Sequence, residues 1–108
     1  MIYRTSVIPA ALALLWLSGG AGPALADGAK LYQEKTCIAC HGADAKTPIL
    51  PEYPKLAGQN APYLLQQMLD IKSGARNNAN TPAMAGVMHL VNEDEMQALA
   101  DYIATLEP

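Results

Sequence analysis

Cys37-Ile38-Ala39-Cys40-His41 is the stretch from which the rest of the chain is read. Cys-x-x-Cys-His is the attachment signature of a c-type haem: two thiols become thioethers to the porphyrin vinyl groups and the adjoining histidine ligates the iron. The spacing has a mechanical reason. Residues three apart lie on one face of a helical turn, so Cys37 and Cys40 can reach one edge of a ring while His41, four on from Cys37, comes under the metal. A neutral imidazole then supplies the proximal nitrogen, and its other ring N–H needs an acceptor to fix orientation and basicity.

Three other chemistries use paired cysteines. A thioredoxin-like pair opens a helix after a strand in a βαβ setting, and no such pattern surrounds Cys37. A zinc site needs four ligands, whereas the chain holds 2 cysteines and 2 histidines in all, with no second close-spaced pair. A Cys37–Cys40 disulfide would close too small a loop to stabilise much. Haem attachment is the reading that uses both cysteines and the adjoining histidine.

Upstream, residues 1–26 read as a secretory signal peptide. Arg4 gives the charged front, Val7 to Leu17 the apolar centre, and Ala24-Leu25-Ala26 a small-x-small cleavage site. The apolar run is too short for a spanning helix, which needs ~20 residues, so cleavage before Asp27 is expected and a membrane contact only if the leader is retained. Haem is attached outside the cytoplasm in bacteria, so leader and motif point to the same compartment, the periplasm.

Removing 26 of the 108 residues leaves 82, and loss of Arg4 takes the net charge from −3 to −4. A single domain this small buries a modest fraction of its surface and needs a staple. With both thiols consumed the haem is that staple. The acidic balance argues against nucleic acid as a partner.

The remainder reads as helices and loops. Asp27 caps a first helix to about Thr36. Residues 42–59, with Pro48, Pro51 and Pro54, read as a loop that wraps one haem edge. A second helix runs from Asn60 or Ala61 to Ser73, with Leu64, Leu65, Met68, Leu69 and Ile71 on its apolar side and Gly74 ending it. Residues 75–91 read as another loop, with Asn77, Asn78, Asn80 and Pro82 as breakers and one possible turn in Met84 to Leu90. Asn92 and Glu95 form a capping box for a last helix whose stripe is Met96, Leu99, Ile103 and Leu106. No stretch alternates as a strand does. The expected fold is all-α, with three main helices around one covalently bound haem.

Asp27 to Leu106 resembles the class I cytochromes c, especially the small bacterial monohaem type and one half of the di-haem periplasmic cytochromes. The resemblance rests on Gly28-Ala29-Lys30-Leu31-Tyr32, Cys37 to Gly42, Pro54 to Gln59, Tyr63-Leu64-Leu65 and Leu99 to Ile103. It implies a cytochrome c domain over residues 27–108, a close crossing of Gly28 against Tyr102, and a Pro54 carbonyl that accepts the N–H of His41. It also implies a distal ligand from the stretch before the last helix, where Met84, Met88 and His89 are the candidates. Similar family members carry the ligand at the position of Met84. Met88 reads as a core gap-filler and His89 as a loop residue. A thioether is a soft neutral donor that favours ferrous iron and raises the potential, which suits an electron carrier.

Tyr53, Tyr63 and Arg76 are candidates for the haem propionates, and Lys46 or Lys55 for steering an acidic partner. The resemblance therefore implies a periplasmic electron-transfer protein with one haem c held by Cys37, Cys40, His41 and Met84, not an enzyme. Its partners would be redox proteins, whether dehydrogenase, oxidase or reductase. A dedicated haem subunit of a periplasmic dehydrogenase is the alternative, and a sensor or peroxidase with an open sixth position a more distant one.

Overall fold

The computed structural model describes residues 27–108; the signal-peptide reading of residues 1–26 lies outside the described residues. Five helices follow one another with no strand among the described residues: α1 Gly28–Glu34, α2 Cys37–His41, α3 Ala61–Ser73, α4 Thr81–Met88 and α5 Glu93–Ala104. The all-α expectation stands, with α1, α3 and α5 as its three main helices. α5 packs on both α1 and α3, α4 packs on α3, and α2 hangs from α1.

Local chemistry starts and stops these helices where the side chains dictate. Asp27 Oδ1 accepts the N–H groups of Ala29 (3.0 Å) and Lys30 (3.3 Å), satisfying donors that have no partner within α1. Asn60 Oδ1 does the same for Tyr63 (2.9 Å), and Pro62 sits in the first turn, where a missing N–H costs nothing. Gly74, with φ 89°, ends α3 in the left-handed region. At α5, Asn92 Oδ1 accepts from Glu95 N (2.8 Å) and Glu95 Oε1 from Asn92 N (3.0 Å), closing the capping box read from the sequence. Asn92→Ala should lower stability by about 1 kcal/mol. Thermal unfolding of the single and the Asn92/Glu95 double variant would show the two losses to be less than additive.

The stretch from 81 to 88 corrects the expectation of a loop there. It forms a two-turn helix because Pro82, read as a breaker, occupies its first turn, where a fixed φ assists initiation. Ala83 and Ala85 then continue the helix at little entropic cost.

Leu31 and Tyr32 of α1, Leu64, Met68 and Ile71 of α3, Met88 of α4, and Met96, Leu99, Ala100 and Ile103 of α5 make one buried core. The α1–α5 crossing is the tightest point in it. A Cβ on Gly28 would lie 2.5 Å from Cβ of Tyr102 and collide with the carbonyl oxygen of Ala98, so only glycine lets the two helices approach this closely. The Tyr32 and Tyr102 rings meet beside that crossing with centroids 5.9 Å apart and planes tilted by 55°, within the contact range of aromatic pairs.

Candidate haem site

The site begins at the sharp turn between α1 and α2, where Thr36 takes φ 67° and sets Cys37 to His41 on their own helical turn. Tyr32, buried in the core, sends its hydroxyl to the carbonyl of Gly42 (2.6 Å), tying the end of that turn to α1. Gly42 has φ 91°, and a Cβ there would strike the carbonyl of Thr47. The following loop folds back on itself: Ile49 N–H donates to the Cys40 carbonyl (3.0 Å), and Leu56 and Ala57 N–H to that of Ala45 (2.7 and 3.0 Å). These bonds bring Pro54 over His41.

His41 is buried, and its Nδ1 lies 2.9 Å from the carbonyl oxygen of Pro54. A carbonyl can only accept, so Nδ1 carries the proton and Nε2 keeps the free lone pair. Burial pushes the imidazole below its ordinary range, opposed by the Pro54 carbonyl, which favours the cation. The ring is thereby held neutral, the form that ligates a metal.

A cavity of about 470 Å³ opens beside this ring, with Cys37, Cys40 and His41 in one wall and Met84, Met88 and Met68 among the side chains completing it. That volume falls in the range of cofactor pockets. No disulfide joins Cys37, which is buried, to Cys40, which is exposed. Burial pushes the Cys37 thiol up to about 11, the opposite of the depressed value a redox-active thiolate requires. Among the described residues no three His, Cys, Asp or Glu side chains are grouped to hold a metal ion, so the donor set does not suit zinc. Two thiols on one turn, a single imidazole lone pair and thioethers around a largely apolar cavity do suit an iron porphyrin.

The remaining candidates separate by position. Met88 is fully buried at 0 % exposure, whereas Met84 is half-buried. His89 is exposed and does not line the cavity. Tyr53, Tyr63, Lys55 and Arg76 all line it, and Arg76 Nη1 donates to Gln67 Oε1 (3.0 Å), which holds the guanidinium at the wall.

Two lysines have structural work that their scattered positions in the chain do not announce. Lys35 Nζ on the α1 side donates to the Leu90 carbonyl (2.9 Å), and Lys72 Nζ of α3 to that of Val91 (2.6 Å). Together they fasten the link between α4, which carries Met84, and α5. Lys72→Met should lower thermal stability by about 1–2 kcal/mol by leaving a charge-assisted bond unmade. In the haem-loaded protein it should also make the ferrous form bind carbon monoxide faster than wild type, a change stopped-flow mixing would detect.

The family model of cytochrome c matches residues 25–107. Cytochrome c4 of Pseudomonas aeruginosa is 42 % identical over 94 residues, covering 87 % of this chain and 43 % of that protein. A thiosulfate dehydrogenase electron acceptor of Stutzerimonas stutzeri is 39 % identical over 89 residues, covering 76 % and 38 % respectively. The crystal structure of reduced recombinant cytochrome c4 from Pseudomonas stutzeri superposes with a TM-score of 0.66 at 32 % identity, over 74 % of this chain and 46 % of that one. The chain thus spans less than half the length of these relatives. A match over nearly all the described residues, on a fold that gathers the attachment motif around a porphyrin-sized cavity, has one meaning: this chain belongs to the cytochrome c family, and its cofactor is covalently attached haem c.

Proposed function

We propose that the chain is a one-electron carrier in which Cys37 and Cys40 bond the haem and His41 and Met84 ligate its iron. The observation that carries this reading is the 2.9 Å contact between His41 Nδ1 and the Pro54 carbonyl, which leaves Nε2 as the ring nitrogen free to ligate. Pro54 acts as the partner that orients the imidazole and keeps it basic. Both Met84 and Met88 border the cavity; Met84 is the distal donor in this reading because it is only half-buried, whereas Met88 is fully buried and fills the core. When bound, the haem supplies a single reversible couple at iron. The chain's part is to hold the His41 and Met84 donors, which would ligate the iron, and to exclude water with Leu99, Ile103 and Val87 in the cavity wall.

Residues 27–108 form the haem domain in this reading, and residues 1–26 direct it to the periplasm before removal. Arg4, the Val7 to Leu17 run and Ala24-Leu25-Ala26 support this. No helix among the described residues is long and apolar enough to cross a membrane.

Potentiometric titration of the haem-loaded protein, followed optically, tests the proposal. One wave with a slope of one electron and low-spin spectra in both states is expected. A high-spin ferric spectrum with rapid carbon monoxide binding in the ferrous state would instead favour a sensor or peroxidase. The relative named as an electron acceptor of thiosulfate dehydrogenase favours a second reading, in which one dehydrogenase is the dedicated donor. Reduction by that enzyme class alone, among several periplasmic dehydrogenases, would select it.

A further inference from the structure

Tyr32 is 2 % exposed, and its ring fills the α1–α5 crossing beside that of Tyr102. A phenyl ring would fill the same space, so packing does not account for the hydroxyl. The hydroxyl donates instead to the Gly42 carbonyl (2.6 Å), at the exit of the turn that carries Cys37 to His41. Burial pushes the phenol above its ordinary value, so the group keeps its proton and remains a donor.

From that carbonyl a series of bonds runs to His41. The N–H of Ala45 also donates to it (3.1 Å), and the Ala45 carbonyl in turn accepts from Leu56 and Ala57 (2.7 and 3.0 Å). Two positions before Leu56 stands Pro54, whose carbonyl takes the Nδ1–H of His41 (2.9 Å). Ala45, fully buried, holds the left-handed φ of 60° at the middle of this series. A residue with a side chain keeps that conformation only where its surroundings over-determine it. Among the described residues, the other hydrogen bonds of residues 42–57 all join positions between 38 and 59. The Tyr32 hydroxyl is therefore the bond that fastens this loop to a main helix.

We propose that Tyr32 is a positioning residue for the axial imidazole: through Gly42 and Ala45 its hydroxyl keeps the Pro54 carbonyl on the Nδ1–H of His41, and so holds the midpoint potential down. This rests on the reading in which His41 ligates the iron. A carbonyl kept on Nδ1–H makes the ring a stronger donor, and a stronger donor favours ferric iron. When the loop loosens, the ring loses that electron density and the ferrous form gains.

Nuclear magnetic resonance of the haem-loaded, nitrogen-labelled protein in its ferrous state follows the Nδ1–H of His41 directly. In Tyr32→Phe, which keeps the ring and removes the hydroxyl, that proton should exchange with solvent about five- to tenfold faster, the extra opening that loss of one hydrogen bond allows. The midpoint potential, from optical titration of the same variant, should move positive. Asn92→Ala, which weakens the fold at the α5 cap, should leave the exchange rate within about twofold of wild type and the potential unmoved. An exchange rate within about twofold of wild type in Tyr32→Phe, or a potential that stays put or moves negative, would overturn the proposal. Equal changes in Asn92→Ala would overturn it too, since the hydroxyl would then act only through overall stability. A wild-type spectrum with no His41 ring signals shifted by the porphyrin would overturn ligation by His41 itself, before any variant is made.

Discussion

Met84→Ala in the haem-loaded protein is expected to erase the ferric far-red charge-transfer band and to lower the midpoint potential by on the order of 100 mV. The reason is chemical. A neutral thioether stabilises ferrous iron, and removing it leaves either water or a harder donor, which favours the ferric state. Met88→Ala should leave both nearly intact and act on stability instead. Its side chain is fully buried and belongs to the core cluster as well as bordering the cavity, so truncation leaves a void and costs about 2–5 kcal/mol of stability, while band and potential stay near wild type. Spectroelectrochemistry and thermal unfolding of the same two variants separate the roles. A lost band in the Met88 variant with a retained one in the Met84 variant would transfer the ligand to Met88.

Gly28→Ala carries the second large effect, on folding. The atoms that a new methyl would meet are the Ala98 carbonyl and the Tyr102 Cβ, both fixed to the α5 backbone and unable to swing aside. The α1–α5 crossing must open, which costs about 1–3 kcal/mol. For a domain this size each kcal/mol lowers the melting midpoint by roughly 4–8 °C. Calorimetry of the haem-loaded variant should show that loss with the potential little changed, because the crossing carries no haem ligand. An unchanged melting midpoint would contradict a crossing that only glycine permits.

Much of this was legible from residues alone, for physical reasons. The motif at 37–41 is local chemistry, and Asn92 with Glu95 is a local hydrogen-bonding pattern, so neither depends on the rest of the fold. Pro54 could be attached to His41 only through the family resemblance, because a contact across thirteen residues is set by how Gly42, Ala45 and Ile49 fold the loop back. Pro82 misled because proline stops a helix in its interior and starts one in its first turn, and the choice depends on where the turn begins. The bonds from Lys35 and Lys72 to the Leu90 and Val91 carbonyls had no sequence signal at all, since a backbone carbonyl as partner leaves no trace in the identity of the residue bearing it.

The cavity, the ligands and the electron-carrier role all depend on one haem bonded through Cys37 and Cys40. The direct test is the intact mass, under denaturing acid, of the protein produced in a host that matures c-type haems. The expected mass is that of residues 27–108 plus one haem that acid does not extract, with that addition lost in Cys37→Ala/Cys40→Ala. A folded product whose mass lacks the haem, or whose haem washes out in acid, would contradict it.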